Sequence, residues 1–156
     1  MVSVAVSKLG CAELIFVEPG VKADGAYYRD VLLSHQMLPT IRHLAGDVFL
    51  FQQDSAPAHR ARATVEYLRQ ATPEFILPDL WPPNSPDLNP VDYKIWDYVQ
   101  KRVSKKPIHG VDQLQQRLVE VWSDVQQTVI DAATGEWRNR LRACVCAKGH
   151  HFEHLL

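Results

Sequence analysis

Two aspartates occupy positions from which a carboxylate can do chemistry. Asp54 closes the segment VFLFQQD (residues 48–54), and Asp92 lies inside WPPNSPDLNPVDYKIW (residues 81–96). The continuous apolar run VFLF reads as a strand covered on both faces, as in the middle of an α/β sheet, and open α/β sheets place ligand sites at the C-terminal ends of such strands. Asn89 is a good helix N-cap and Pro90 suits the first helical position, which puts Asp92 at the third, where the helix dipole favours an ionised carboxylate. Each acid also has a plainer reading. Asp92 can reach back to the N-cap N–H as in a capping box, and Asp54 can cap the helix that follows it. If the two acids meet instead, they repel unless a cation lies between them. Mg²⁺ suits such a pair, because it takes one or two carboxylates and completes its shell with water and phosphate oxygens. Pro82, Pro83, Pro86 and Pro90 would then stiffen the approach and aim Asp92.

The elements that must position these residues follow from periodicity. Residues 1–7 alternate Val2, Val4 and Val6 with small side chains, and residues 12–17 form a second β-rich run ended by Pro19 and Gly20, so the two predict a hairpin. Asp24 predicts an N-cap for a helix over 25–44, stopped by Gly46, with a kink or break at Pro39. The strand at 48–51 is followed by a helix opened by Pro57 and running to Arg69, then by a short strand at 75–77. A helix over 90–103, a helical region over 111–133 and a last helix over 137–146, separated by Gly135, complete the chain. This order predicts a mixed sheet covered by helices.

With 156 residues, 46% hydrophobic and 22% charged, the chain reads as one ordinary globular domain over 1–156. Its net charge of −1 decides nothing about nucleic acid, because a basic patch can hide inside a neutral total. Three cysteines, Cys11, Cys144 and Cys146, fit a reducing setting. No apolar run approaches a membrane span, and the first residues have no signal-peptide pattern.

The segments FQQDSAPAHRA (51–61) and WPPNSPDLNPVDYKIWDYVQKRV (81–103), with the C-terminal RLRACVCAKGHHFEHLL (140–156), resemble the catalytic domain of mariner-superfamily DDE/D cut-and-paste DNA transposases. The resemblance implies a ribonuclease-H-like α/β fold, a mixed sheet with helices on both faces. It also implies a triad of acids holding two Mg²⁺ (or Mn²⁺) ions for phosphodiester cleavage and strand transfer in DNA transposition and integration. Asp54 matches the second acid and Asp92 the third, with 37 residues between them (92 − 54 − 1); the longer interval can sit in the loop before the helix. The family's first acid lies on a central strand upstream of the hairpin. Asp24, Asp47, Glu13 and Glu18 do not replace it. The expectation is therefore an N-terminally truncated fragment, lacking that strand and the upstream helix-turn-helix region and inactive alone. The alternative is a catalytically dead remnant that binds only DNA or another subunit. Implied partners are double-stranded DNA, both transposon ends and target, and a second transposase copy. The implied location is the nucleus.

Other residues have weaker readings. His59 and Arg60, one turn into the helix after Asp54, are candidates to approach DNA, as is the basic cluster Lys101, Arg102, Lys105 and Lys106, whose plain reading is a solvated helix end. Cys144, Cys146, His150, His151 and His154 have zinc-ligand chemistry but an uncommon spacing. Trp96 and Trp122 fall on apolar stripes and read as core.

Overall fold

The start of the N-terminal run pairs with the second apolar run, as the pattern predicts. In the computed structural model, which describes residues 1–82 and 85–156, strand β1 (Val2–Ser3) lies antiparallel to β4 (Ile15–Phe16), with Val2 opposite Phe16 and Ser3 opposite Ile15. The Val17 N–H continues the ladder to the Met1 carbonyl, and Ala12 donates to Ala5. The remaining strands of this region are the two-residue β2 (Val6–Ser7) and β3 (Gly10–Cys11), so the run over residues 1–7 is interrupted rather than continuous.

The described residues fall into two compact units: residues 1–5 with 9–85, and residues 6–8 with 86–156. The first is organised around α1, a continuous helix over residues 25–45. Asp24 caps it as predicted, its Oδ1 accepting from the N–H groups of Ala26 (3.1 Å) and Tyr27 (3.0 Å), and Gly46, at φ 66°, ends it. Pro39 does not break it. Tyr28–Met37 is wound as a π-helix, and α-helical winding resumes over Leu38–Ala45. The Leu38 N–H accordingly reaches the Leu33 carbonyl, five residues back. The wider turn accommodates a residue that has no N–H to give and whose ring would crowd an α-helical carbonyl. Tyr28, Leu32, Leu33, Met37 and Leu38 pack from α1 against Val17, Phe51 and Leu68 to form this unit's core.

Strand β5 (Leu50–Phe51) runs parallel to β6 (Glu74–Phe75), joined through helix α2 (Arg62–Ala71), which is a βαβ crossover. The strand predicted at 75–77 begins one residue early, and the Ile76 N–H extends it to the Phe51 carbonyl. The expectation of a strand covered on both faces is corrected. Phe51 is buried, but Val48 is 88% and Leu50 54% exposed. Successive residues of an extended chain point to opposite faces, so Phe49 and Phe51 reach the core while their apolar neighbours do not. The helix expected from Pro57 also starts later, at Arg62, after a turn over 57–59.

In the second unit, α3 covers residues 91–103, with π-helical winding over Val91–Ile95 and α-helical winding over Trp96–Val103. It is followed by α4 (Val111–Ser123) and α5 (Gln127–Cys146). Leu88, Ile95, Val99, Trp122 and Ile130 are buried here, Trp122 as its apolar stripe predicts; Trp96, also read as core, is only half-buried, with its ring 6.2 Å from that of Trp122. The predicted boundary at Gly135 is not a boundary. The helices separate at residues 124–126, and Gly135 lies within α5. Burial of Ile130, Ala133, Ala143 and Cys144 on both sides of it outweighs the helix-breaking tendency of one glycine, which costs about 1 kcal/mol. A Cβ at Gly135 would meet nothing within 4 Å. Gly135→Ala is therefore expected to stabilise the protein by about 0.5–1 kcal/mol, read as a raised midpoint of chemical unfolding.

Candidate metal centre

Asp54 sits three residues beyond β5, in a turn that its own side chain organises. Its Oδ1 accepts from the Ala56 N–H at 3.0 Å, an Asx turn, and is 2.5 Å from Nδ1 of His59. The helix-cap reading of Asp54 is thus corrected. The carboxylate serves the turn, and α2 starts eight residues later with no side-chain cap. His59, expected one helical turn onward, is instead folded back in the turn, where its ring lies 4.1 Å from the ring of Tyr28. The Tyr28 hydroxyl donates to Oε1 of Gln53 (2.7 Å), and Gln53 Nε2 donates to the His59 carbonyl (3.0 Å). Tyr28 and Gln53 therefore clamp the residue that holds Asp54, a role that sequence spacing does not reveal, because Tyr28 reads simply as part of the α1 stripe.

The hydrogen bond from His59, helped by that from Ala56, holds the Asp54 carboxyl below the ordinary carboxylate range, against the opposing effect of partial burial. Burial raises the Tyr28 phenol far above its usual value, and the Asp54 charge adds to this, so Tyr28 remains a neutral donor. A group whose folded pKa is depressed stabilises the fold above its unfolded value, about 3.9 for Asp, and this contribution is lost as pH falls through the folded value. Asp54→Asn should remove that part of the acid limb. Urea midpoints followed from about pH 5 down to about pH 2 should fall less steeply in the variant than in the parent.

The residues around Asp54 fit a hydrated divalent ion. Both contacts to the carboxylate engage Oδ1, the group is ionised at neutral pH, and it is only half-buried. Beside it, Gln52 Nε2 and Ser55 Oγ are buried with no hydrogen-bond partner among the described residues, and the Ser55 hydroxyl can pair with an ordered ligand or water.

Asp92 lies in the first turn of α3, as predicted. Asn89 caps this turn, its Oδ1 accepting from the Val91 N–H at 3.2 Å and its carbonyl from the N–H groups of Asp92 and Tyr93. The Asn89 N–H donates to the Pro86 carbonyl at 2.9 Å, so the donor that a capping box would assign to Asp92 already has a partner. The turn before it, Pro86–Leu88, is a short 3₁₀ segment. Pro83, one of the prolines expected to stiffen this approach, lies outside the described residues.

Of the basic candidates, Lys101 pairs with Asp97 one helical turn back (2.7 Å) and Arg102 stacks 3.5 Å from the Tyr98 ring centre. Arg60, Lys105 and Lys106 are exposed. Cys144 is buried, Cys146 is exposed, and the rings of His151 and His154 lie 5.8 Å apart. Among the described residues, no three His, Cys, Asp or Glu side chains gather in a metal-binding group. No described helix is long and apolar enough to cross a membrane.

The chain is 31% identical over 126 residues to the Tcb2 transposable-element transposase of Caenorhabditis briggsae, an alignment that covers 81% of the chain and 44% of that protein. It is 28% identical over 127 residues to the Tcb1 transposase of the same organism, covering 81% of the chain and 45% of that protein. The chain is a homologue of the Tc1/mariner transposases. It spans less than half the length of these Tc1/mariner relatives. No protein-family model matches it.

Its mixed α/β fold is that of the Mos1 mariner transposase catalytic domain, with a TM-score of 0.82, 20% identity, and coverage of 97% of this chain and 75% of that one. The Mos1 catalytic domain with raltegravir and Mg gives 0.79 at 20% identity, covering 97% and 76%. The Mos1 paired-end complex with the left transposon end gives 0.81 at 22% identity, covering 96% and 44%.

Proposed function

We propose that this chain is part of the catalytic domain of a DNA transposase, in which Asp54 and Asp92 bind divalent metal and serve phosphodiester cleavage and strand transfer. One observation carries the reading. In a homologue of the Tc1/mariner transposases, an ionised aspartate just beyond a parallel strand is braced through one oxygen by His59 and the Ala56 N–H, with the other turned to neither. The Mos1 structures with Mg and with a transposon end support a divalent ion and a DNA partner for this chain too. When bound, such ions neutralise charge at the scissile phosphate and activate the attacking hydroxyl. The chain's own residues hold the carboxylates. His59 and the Ala56 N–H orient Asp54 and keep it ionised, and the Asn89 cap sets the turn from which Asp92 projects.

The same reading places a further acid on a strand beside β5. Among the described residues β5 pairs with β6 alone, and the exposed Val48 and Leu50 are suited to cover by more protein. The full protein acts as a homodimer on double-stranded DNA in the nucleus. The test compares this chain with an N-terminally extended form, measuring Mg²⁺ titration and nicking of DNA that carries the element's ends, with and without EDTA. The reading requires tighter metal binding and EDTA-sensitive cleavage in the extended form. Equal metal affinity and equal cleavage in both forms would refute the need for the further acid. DNA binding with no metal-dependent cleavage in either form would favour the non-catalytic remnant.

A further inference from the structure

Asp92 is five residues beyond Asp87 and directly precedes Tyr93 and Lys94, and all three of these neighbours are tied to one face of α5. The Tyr93 hydroxyl donates to the Ala133 carbonyl, and Lys94 pairs with Glu136. Arg140 joins the set. Its Nη1 donates to the Asp87 carbonyl at 3.2 Å, and its guanidinium carbon lies 3.9 Å from the Tyr93 ring centre. It is also 3.6 Å from Glu136 and 3.7 Å from Glu153. Residues 133, 136 and 140 are spaced i, i+3, i+7, the repeat of a single helix face.

We propose that Arg140 is a positioning residue that sets the direction of Asp92, acting through the Asp87 carbonyl before it and the Tyr93 ring after it. The inference rests on the reading of Asp92 as a metal ligand. The Arg140 side chain is only 12% exposed, and buried charge is a poor way to gain stability, since apolar packing of the same volume commonly does as well. The Arg140 Nε is buried without a hydrogen bond among the described residues, which makes the arrangement poorer still as a purely structural solution. What the guanidinium supplies is geometry. A flat, rigid fork can lie on an aromatic face and donate in its own plane to a carbonyl at the same time, and an ammonium cannot reproduce both contacts.

The test uses Arg140→Lys and Arg140→Met in this chain, with Asp92→Asn as the reference for metal binding. Three quantities are read: the unfolding midpoint, amide hydrogen exchange over residues 86–95 without metal, and the Mn²⁺ concentration that half-broadens the NMR signals of residues 91–94. Arg140→Lys is expected to keep the unfolding midpoint within about 4 °C. It should speed exchange over residues 86–95, but not over α4, by roughly tenfold, and raise the half-broadening Mn²⁺ concentration about 10–100-fold. Unchanged exchange and unchanged Mn²⁺ response in a stably folded variant would overturn the proposal. Parent protein that shows no broadening at Asp92, or broadening that survives Asp92→Asn, would overturn the metal-ligand reading, and the proposal with it. If both Arg140 variants unfold, Tyr93→Leu set beside Tyr93→Phe decides. Both lose the bond to Ala133, but phenylalanine keeps the ring under the guanidinium and leucine removes it, so exchange over residues 86–95 should be a few-fold faster with leucine; equal exchange in the two would overturn the proposal.

Discussion

Asp92→Asn is expected to reduce metal-dependent DNA cleavage by at least about a thousandfold in the N-terminally extended form while leaving the fold intact. Asparagine keeps the size and shape of aspartate, and the Asn89 groups that start α3 have partners of their own: the Asn89 side chain serves the Val91 N–H, and the Asn89 N–H goes to Pro86. What the substitution removes is one unit of negative charge at the place where a divalent ion would be held, and a neutral amide oxygen is a much weaker ligand for a hard cation. The change should appear in two measurements. Cleavage of DNA carrying the element's ends should fall to background in Mg²⁺, and the rise in thermal midpoint that Mg²⁺ gives the parent should shrink, because stabilisation by a ligand tracks its affinity for the folded state. Cleavage retained within tenfold, or an undiminished Mg²⁺ response, would remove Asp92 from the catalytic set.

The second large effect concerns stability. Leu32→Ala should cost about 2–5 kcal/mol, measured from urea unfolding followed by tryptophan fluorescence. Leu32 is fully buried in the π-helical stretch of α1, in the cluster that contains Val17, Leu68 and Phe51. Deleting its branched end removes apolar burial and leaves a cavity that a close-packed cluster closes only in part. Phe51 is the buried residue of β5, and Asp54 follows it by three positions, so the same cavity should loosen the strand that leads into the Asp54 turn. Leu80→Ala is the control. Leu80 is 73% exposed, and its loss should change stability by no more than about 0.5 kcal/mol. A cost below about 1 kcal/mol for Leu32→Ala would mean that the cluster is not the stabilising core of its unit.

Local rules make a large part of this protein legible from its sequence alone. The Asp24 cap, the Gly46 stop, the start of α3 behind Asn89 and Pro90, the hairpin and the burial of Trp122 all depend on neighbours in the chain or on a single periodic face. The position of Asp54 just past a strand is of the same kind. Other features depend on distant residues. Pro39 reads as a break because the rule for proline assumes an unbroken α-helix before it, whereas here the winding that runs up to Met37, where Leu32, Leu33 and Met37 pack, is π-helical, and the proline stands in the first turn of the α-helical stretch that follows. Gly135 reads as a boundary by propensity, but about 1 kcal/mol of propensity yields to the burial of α5 on either side. The run VFLF reads as covered on both faces because hydrophobicity records what a strand can bury, whereas the neighbours actually packed against it decide what it does bury. His59 and Arg140 show the same division. Their chemistry is plain from their residue types, but that one braces Asp54 and the other grips the turn before Asp92 depends on a folded-back turn and on a contact spanning 53 residues. Side-chain identity sets which interactions are possible. Which of them form is decided by chain closure, through partners that no local window contains.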